Sequence, residues 1–169
     1  VDLFLQATKP TGARIPETRF LVVGEGELMD AMIRLADASG LMSRLRFLGV
    51  REDMPLVFAA MDLLALTSDF EGLPNVVMEG MAAGLPVVAT DLGGCRELVA
   101  EGVTGFLVPP GDSAALAERF VSVLALPDRG RSLGAAGRQR ILSEFSMDAM
   151  IQRFEDLFLR FQPRSDSNP

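Results

Sequence analysis

The sequence contains no histidine, no tryptophan and no tyrosine. Without histidine, no metal site of the Cys/His kind can be assembled and no imidazole can serve as general base from these residues. The single cysteine, Cys95, excludes an internal disulfide, fits a reducing compartment and reads as a buried, inert thiol. Basic charge is short as well. The net charge of −7 argues against non-specific nucleic-acid binding, which needs a basic footprint. No apolar run approaches the ~20 residues of a bilayer span. Val1-Asp2-Leu3 offers neither an initiator Met nor a signal-peptide pattern, and the chain opens as though inside a longer one.

What remains is a chain of 169 residues, 49% of them apolar, enough for one domain with a full core. It is organised around residues 67–91. The apolar run Leu63-Leu64-Ala65-Leu66 reads as a buried strand, and Gly72 releases the backbone after it. Pro74 suits the first position of a helix that carries Val76, Val77, Met78 and Met81 inward and stops near Gly84. A second buried strand follows from Pro86 to Thr90, which completes a βαβ unit.

Two carboxylates lie eight residues apart in this unit. Glu71 sits in the turn at the carboxyl end of a strand, and Glu79 sits about one and a half turns into the helix. Ligands of parallel α/β sheets bind beyond the carboxyl ends of the strands. The helix start offers free amides at Leu73, Asn75 and Val76 together with the positive end of a macrodipole, which suits a phosphate. A carboxylate beside a phosphate site is fitted to accept hydrogen bonds from hydroxyls, as on a ribose or a sugar ring. Without further context, Glu71 as a loop charge and Glu79 as a solvated helix residue is the competing reading.

Further strands read at Arg19 to Val23, Leu45 to Gly49 and Gly105 to Val108. Alternating with helices, the strands predict an α/β fold: a Rossmann-like, mostly parallel sheet covered on both faces. Residues 1–161 form one domain, and residues 162–169 are expected to be a disordered tail. Val1 to Ala7 reads as the tail of an amphipathic helix, with Lys9 after it. Gly24-Glu25-Gly26 is a weak dinucleotide signal, because Met29 holds the third glycine position, so a tight strand-to-helix turn competes with it. Asp53 is placed to cap a short helix, and Asp112 or Ser113 to cap a later one. Gly93-Gly94 either lets backbone approach a ligand or fits a sharp turn. Gly134 and Gly137 weaken the helix at about 128–144. The final helix carries Met147, Met150, Ile151, Phe154, Leu157, Phe158 and Phe161 as a broad apolar stripe, which reads first as core packing.

Glu71-Gly72-Leu73-Pro74 through Glu79-Gly80-Met81-Ala82-Ala83-Gly84-Leu85-Pro86-Val87-Val88 resembles the E-x7-E signature of the family 4-type retaining glycosyltransferases. The match runs on through Gly93-Gly94-Cys95-Arg96-Glu97 and Gly102-Val103-Thr104-Gly105-Phe106-Leu107-Val108. The order of features is similar to the carboxyl-terminal, donor-binding half of the GT-B fold.

The resemblance implies a nucleotide-sugar donor, UDP- or GDP-linked, and transfer with retention, without a required metal or cofactor. It makes Glu71 the catalytic carboxylate against the transferred sugar and gives Glu79 the ribose hydroxyls. The amides of Gly72, Leu73, Asn75 and Val76 would hold the phosphates or sugar, Val50 and Arg51 would read the base, and Gly24 would lie near the donor. The acceptor, a sugar or a lipid-linked sugar, would belong to an amino-terminal domain. The first strand of the donor domain, with an Arg and a Lys that neutralise the diphosphate, would precede this sequence. Their loss is expected to leave the segment inactive and a weak binder, each charge-assisted contact costing about 1.5–3 kcal/mol.

The protein would be cytoplasmic, peripheral to the inner membrane at full length, and able to self-associate through the last helix. A non-catalytic nucleotide- or sugar-binding module, a sugar-nucleotide epimerase and a glycogen-synthase-like enzyme remain alternatives on the same architecture.

Overall fold

The computed structural model describes residues 1–161. The tail expected at 162–169 lies outside the described residues. Helix α1 (Asp2–Arg14) leads into strand β1 (Phe20–Val22), followed by α2 (Met29–Ala38), β2 (Leu45–Phe47) and α3 (Met54–Ala59). Then come β3 (Leu64–Leu66), α4 (Asn75–Ala82), β4 (Val87–Thr90), α5 (Gly93–Leu98) and β5 (Gly105–Val108). Three helices close the order: α6 (Ser113–Leu124), α7 (Arg131–Glu144) and α8 (Met147–Phe161).

Every strand pairing is parallel, as the alternation of strands and helices requires. The pairings fall into two hydrogen-bonded groups, however: β1 with β2, and β3-β4-β5 in that order. Between β1 and β3 lies a cavity of about 600 Å³.

One face of the larger sheet packs through Val77 and Met81 of α4, Phe58 of α3 and Ile141 of α7. The other face is covered by α1 and α6 through Leu3, Ala7, Leu116 and Phe120. Phe4 bridges the two sheets: its ring meets Phe20 of β1 and Phe120 of α6 edge-on, each at 6.0 Å between centroids.

Helix α1 is longer than the sequence suggests. It runs through Pro10, so Lys9 lies within it and not after it. An interior proline removes one hydrogen bond. Here the buried hydroxyls of Thr8 and Thr11 donate to the carbonyls of Leu5 and Ala7, each at 2.7 Å, and the helix buries Leu5 and Gly12 on either side of the proline.

The end of α4 follows expectation. Gly84 adopts φ +85°, the Leu85 amide reaches back to the Gly80 carbonyl at 3.0 Å, and the Gly84 amide bonds Met81 at 2.9 Å. This is the paired geometry of a Schellman stop. Gly134, read as a weak point of α7, has a packing reason: a Cβ there would lie 1.9 Å from the Gly84 carbonyl oxygen. Helix α8 departs most from the sequence reading. None of its residues is buried, and Phe154, Phe158 and Phe161 are 52%, 68% and 77% exposed. Among the described residues, core packing is therefore not what its stripe does.

Candidate functional site

The loop after β3 and the first turn of α4 are fixed from below by close packing. Gly80 rests on β3 so tightly that a Cβ would come within 2.3 Å of Leu64 Cδ2. That contact sets the height of α4 over the strand, and with it the position of the neighbouring Glu79, which is exposed. Pro74 holds an extended conformation, φ −74° and ψ 111°, and stands one position before the helix, not at its first residue. Its carbonyl accepts from the amides of Val77 at 3.1 Å and Met78 at 3.3 Å. The Asn75 and Val76 amides precede these and occupy the open end of the helix. Counted from Asn75, Glu79 is about one turn along α4.

Glu71 is half-buried in the loop, and the Ser68 hydroxyl donates to its Oε1 at 2.7 Å. No sequence motif assigns Ser68 a role, although it lies three residues upstream of Glu71. Such spacing is the only hint available, and it is shared by many loop serines. The loop is also braced from the side. At Gly94, in the first turn of α5, a Cβ would sit 1.5 Å from the Gly72 carbonyl oxygen. The Gly93-Gly94 pair thus serves a close approach, of backbone to backbone.

Beneath this junction lies Cys95, fully buried. Burial pushes its thiol above the ordinary value, and the nearby Glu71 charge pushes it the same way. The thiol is held neutral. At the end of β4, Arg96 donates to both oxygens of Asp91, whose carboxyl is thereby held below its usual range.

The remaining sequence candidates gather at the end of the smaller sheet. The Gly24 amide donates to the Gly49 carbonyl at 2.8 Å, and Gly24 takes φ +112°, a conformation that favours glycine. That bond joins the turn after β1 to the loop carrying Val50 and Arg51, both exposed. Asp53 stands at the amino end of α3, but its side chain makes no capping bond. Arg51 takes it instead, donating from Nε to Oδ1 at 2.8 Å and from Nη2 to Oδ2 at 2.6 Å. A guanidinium two residues away outcompetes the helix amides for the carboxylate, and it lowers the Asp53 pKa.

Two clusters result. Glu71, Gly72, Leu73, Asn75, Val76 and Glu79 share one loop and helix end, while Gly24, Val50 and Arg51 share another. Both border the cavity between the sheets, which is lined by Val23 beside Gly24 and by Leu66 and Val76 beside the Glu71 loop. Chemically, the open amino end of a helix such as α4 is suited to an anion, and carboxylates such as Glu71 and Glu79 can accept hydrogen bonds from hydroxyl groups. Among the described residues, no helix is long and apolar enough to cross a membrane.

The chain is similar in sequence and fold to known proteins. A family model for glycosyl transferases group 1 matches residues 1–125. The EpsD protein of Bacillus subtilis is 35% identical over 145 residues, covering 86% of this chain and 38% of EpsD. A GDP-mannose-dependent monoacylated alpha-(1-6)-phosphatidylinositol monomannoside mannosyltransferase of Corynebacterium glutamicum is 33% identical over 172 residues. That alignment covers 96% of this chain and 44% of the mannosyltransferase. HepE of Anabaena, solved in complex with UDP-glucose, superposes with a TM-score of 0.82 at 28% identity, over 95% of this chain and 45% of HepE. This chain spans less than half the length of each of the three. The fold corresponds to a Rossmann-like half of the GT-B architecture. With a family match over most of its length, this chain belongs to the group 1 glycosyl transferases.

Proposed function

We propose that this chain is the donor-binding part of a retaining glycosyltransferase, holding a nucleotide sugar while another domain presents the acceptor. The observation that supports the reading is that the loop after the carboxyl end of β3 carries Glu71, with Ser68 donating to it, and leads into the open amino end of α4, one turn along which lies the exposed Glu79. A diphosphate is suited to the amides of Gly72, Leu73, Asn75 and Val76. Glu79 accepts the ribose hydroxyls, the base lies against Val50 and Arg51, and Gly24 flanks the donor.

In transfer, the bond between the anomeric carbon and the diphosphate oxygen breaks as the acceptor oxygen bonds to that carbon from the same face. The acceptor proton leaves with the departing diphosphate. Positive charge builds on the sugar ring in between, and the Glu71 carboxylate, oriented by Ser68, stabilises it electrostatically. No step requires a metal.

The donor is UDP- or GDP-linked. Support comes from HepE, solved with UDP-glucose, and from the GDP-mannose-dependent relative. The transferred sugar is a hexose and the acceptor a sugar or lipid-linked sugar, which places the full protein in polysaccharide or glycolipid assembly on the cytoplasmic side of a membrane. The exposed stripe of α8 is a second contact surface, open to self-association.

Ligand-observed NMR with UDP-, GDP- and ADP-sugars tests the donor reading, with Glu79→Ala as the control. Binding of one nucleotide class, lost in the variant, supports it. Binding that survives Glu79→Ala, or no binding at millimolar donor, counts against it.

A further inference from the structure

Two hydrogen-bonded carboxylates stand side by side at the end of the larger sheet. Leu66 of β3 is in register with Ala89 of β4, and Ser68 and Asp91 each lie two residues further along. Ser68 holds Glu71, and Arg96 of α5 holds Asp91 through Nε and Nη2. Two further relations tie the pairs together. The first turn of α5 touches the Glu71 loop, where a Cβ at Gly94 would lie 3.0 Å from Leu73 Cα. Cys95, the residue before Arg96, feels both charges: burial raises its thiol pKa most, and Glu71 and then Asp91 add to the rise. The Arg96 guanidinium thus stands beside Glu71 at the carboxyl ends of the strands, where ligands of such sheets bind.

Stability does not explain the Arg96–Asp91 pair. The two side chains are 64% and 35% exposed, and a surface pair of this kind contributes little. What the two parallel bonds do is fix the plane of the guanidinium. They engage Nε and Nη2, so the Nη1 edge is left over as a further donor edge, matched to a carboxylate or a phosphate. Glu71, Glu79 and Asp91 are all acidic, which makes Arg96 the one of these four groups that an anion can approach.

The order of strands decides which part of a ligand comes within reach. The cavity is lined by Leu21 and Val23 of the β1 segment and by Leu64 and Ala65 of β3, and β4 pairs with the other side of β3. Seen from the Gly24 and Val50 cluster, Arg96 therefore lies beyond Glu71. On the donor reading above, on which this inference rests, the base occupies the Val50 end and the sugar meets Glu71, so Arg96 stands at the sugar end. The acceptor belongs to another domain on that reading, so the anionic group that Arg96 meets is one carried by the transferred sugar. We propose that Arg96, oriented by Asp91, is a specificity-determining residue that binds the carboxylate of an acidic sugar, such as a uronic acid, on the nucleotide donor.

The test is an NMR titration of isotope-labelled residues 1–169 with matched neutral and acidic donors: UDP-glucose against UDP-glucuronate, and GDP-mannose against GDP-mannuronate. In the nucleotide class that binds, the acidic donor is expected to bind about fivefold more tightly than its neutral match. It should also move the Arg96 Nε–H signal, which the neutral donor leaves in place. Arg96→Gln should bring the ratio of the two affinities to about one, while Arg96→Lys, which keeps the charge but not the fork, should retain part of it. Equal or weaker binding of the acidic donor would overturn the proposal, and so would a preference that survives Arg96→Gln. In either case, binding of the neutral donor leaves the donor reading standing; if none of the four binds, both fall. Inorganic phosphate that moves the Arg96 signal as far as the acidic donor does would show a site for any anion, and that too would overturn the proposal.

Discussion

Gly94 and Gly72 touch backbone to backbone: the space for a Cβ at Gly94 is already taken by the Gly72 carbonyl oxygen, 1.5 Å away. The glycine pair that opens α5 thus sets the position of the loop carrying Glu71. Because the obstacle is backbone, no rotamer change can relieve it. Gly94→Ala must move either the loop or the helix, and overpacking of this kind typically costs about 1–3 kcal/mol. The variant should melt lower and also lose donor affinity. Gly93→Ala, where a Cβ meets nothing within 4 Å, is the matched control and should do neither.

Ser68 orients Glu71 through one hydrogen bond to a carboxylate. Ser68→Ala removes that bond while keeping the charge. Hydrogen bonds to charged groups contribute about 1.5–3 kcal/mol, less where water can replace the partner, as at this half-open loop. In the intact enzyme, the variant should lower kcat more than it raises KM, with Ser68→Thr restoring part of the rate. An unchanged kcat would remove Ser68 from the transition-state account.

Acid should weaken the fold through Asp53, Asp91 and Asp128, all with pKa values lowered from 3.8. Arg51 and Arg96 hold the first two. The amides of Ser132 and Gly130 hold Asp128 at the start of α7. A lowered folded-state pKa means stability that is present above the unfolded value and lost as pH falls through the folded one. Melting temperature should therefore hold down to about pH 4 and decline below it. Asp91→Asn should flatten part of that decline, modestly, because the pair is at the surface.

Cys95 should be silent towards thiol reagents in the native protein. It is fully buried, and both burial and the Glu71 charge disfavour the thiolate that reacts. Ellman's reagent at pH 8 should label it only after denaturation in urea. Prompt labelling of the folded chain would show that the junction under Glu71 opens readily.

The α8 stripe predicts an unusual pairing of results. Phe154 and Phe158 stack on each other with centroids 6.5 Å apart, yet both are mainly exposed. Replacing both with Ser should change stability by no more than about 0.5 kcal/mol, the range for surface positions. The same change should abolish concentration-dependent association in sedimentation velocity. A wild-type chain that stays monomeric throughout would rule out self-association through this face.

Much of this was legible in the sequence because it is locally encoded. The strand, turn, helix, turn, strand order around Glu71 and Glu79 follows from apolar runs and from Gly72, Pro74, Gly84 and Pro86. Asp112 caps α6 as its position suggests, accepting from the Ala115 amide at 2.8 Å. What escaped depends on residues far apart in the chain. The length of α1 rests on burial that offsets Pro10, and the reasons for Gly94 and Gly134 lie in backbone 22 and 50 residues upstream, at Gly72 and Gly84. Asp53 satisfied the local capping rule in position but lost its side chain to Arg51. Periodicity showed α8 to be amphipathic; it could not show whether a neighbour in this chain covers the stripe.

The most direct test of the central claim is amide chemical-shift mapping on labelled protein titrated with UDP-glucose and, separately, with GDP-mannose. One of the two should move the amides of Gly72, Asn75 and Val76 together with those of Gly24 and Val50, drawing both clusters into one site. Shifts confined elsewhere on the surface, or none at millimolar donor, would contradict a donor site between Glu71 and Glu79.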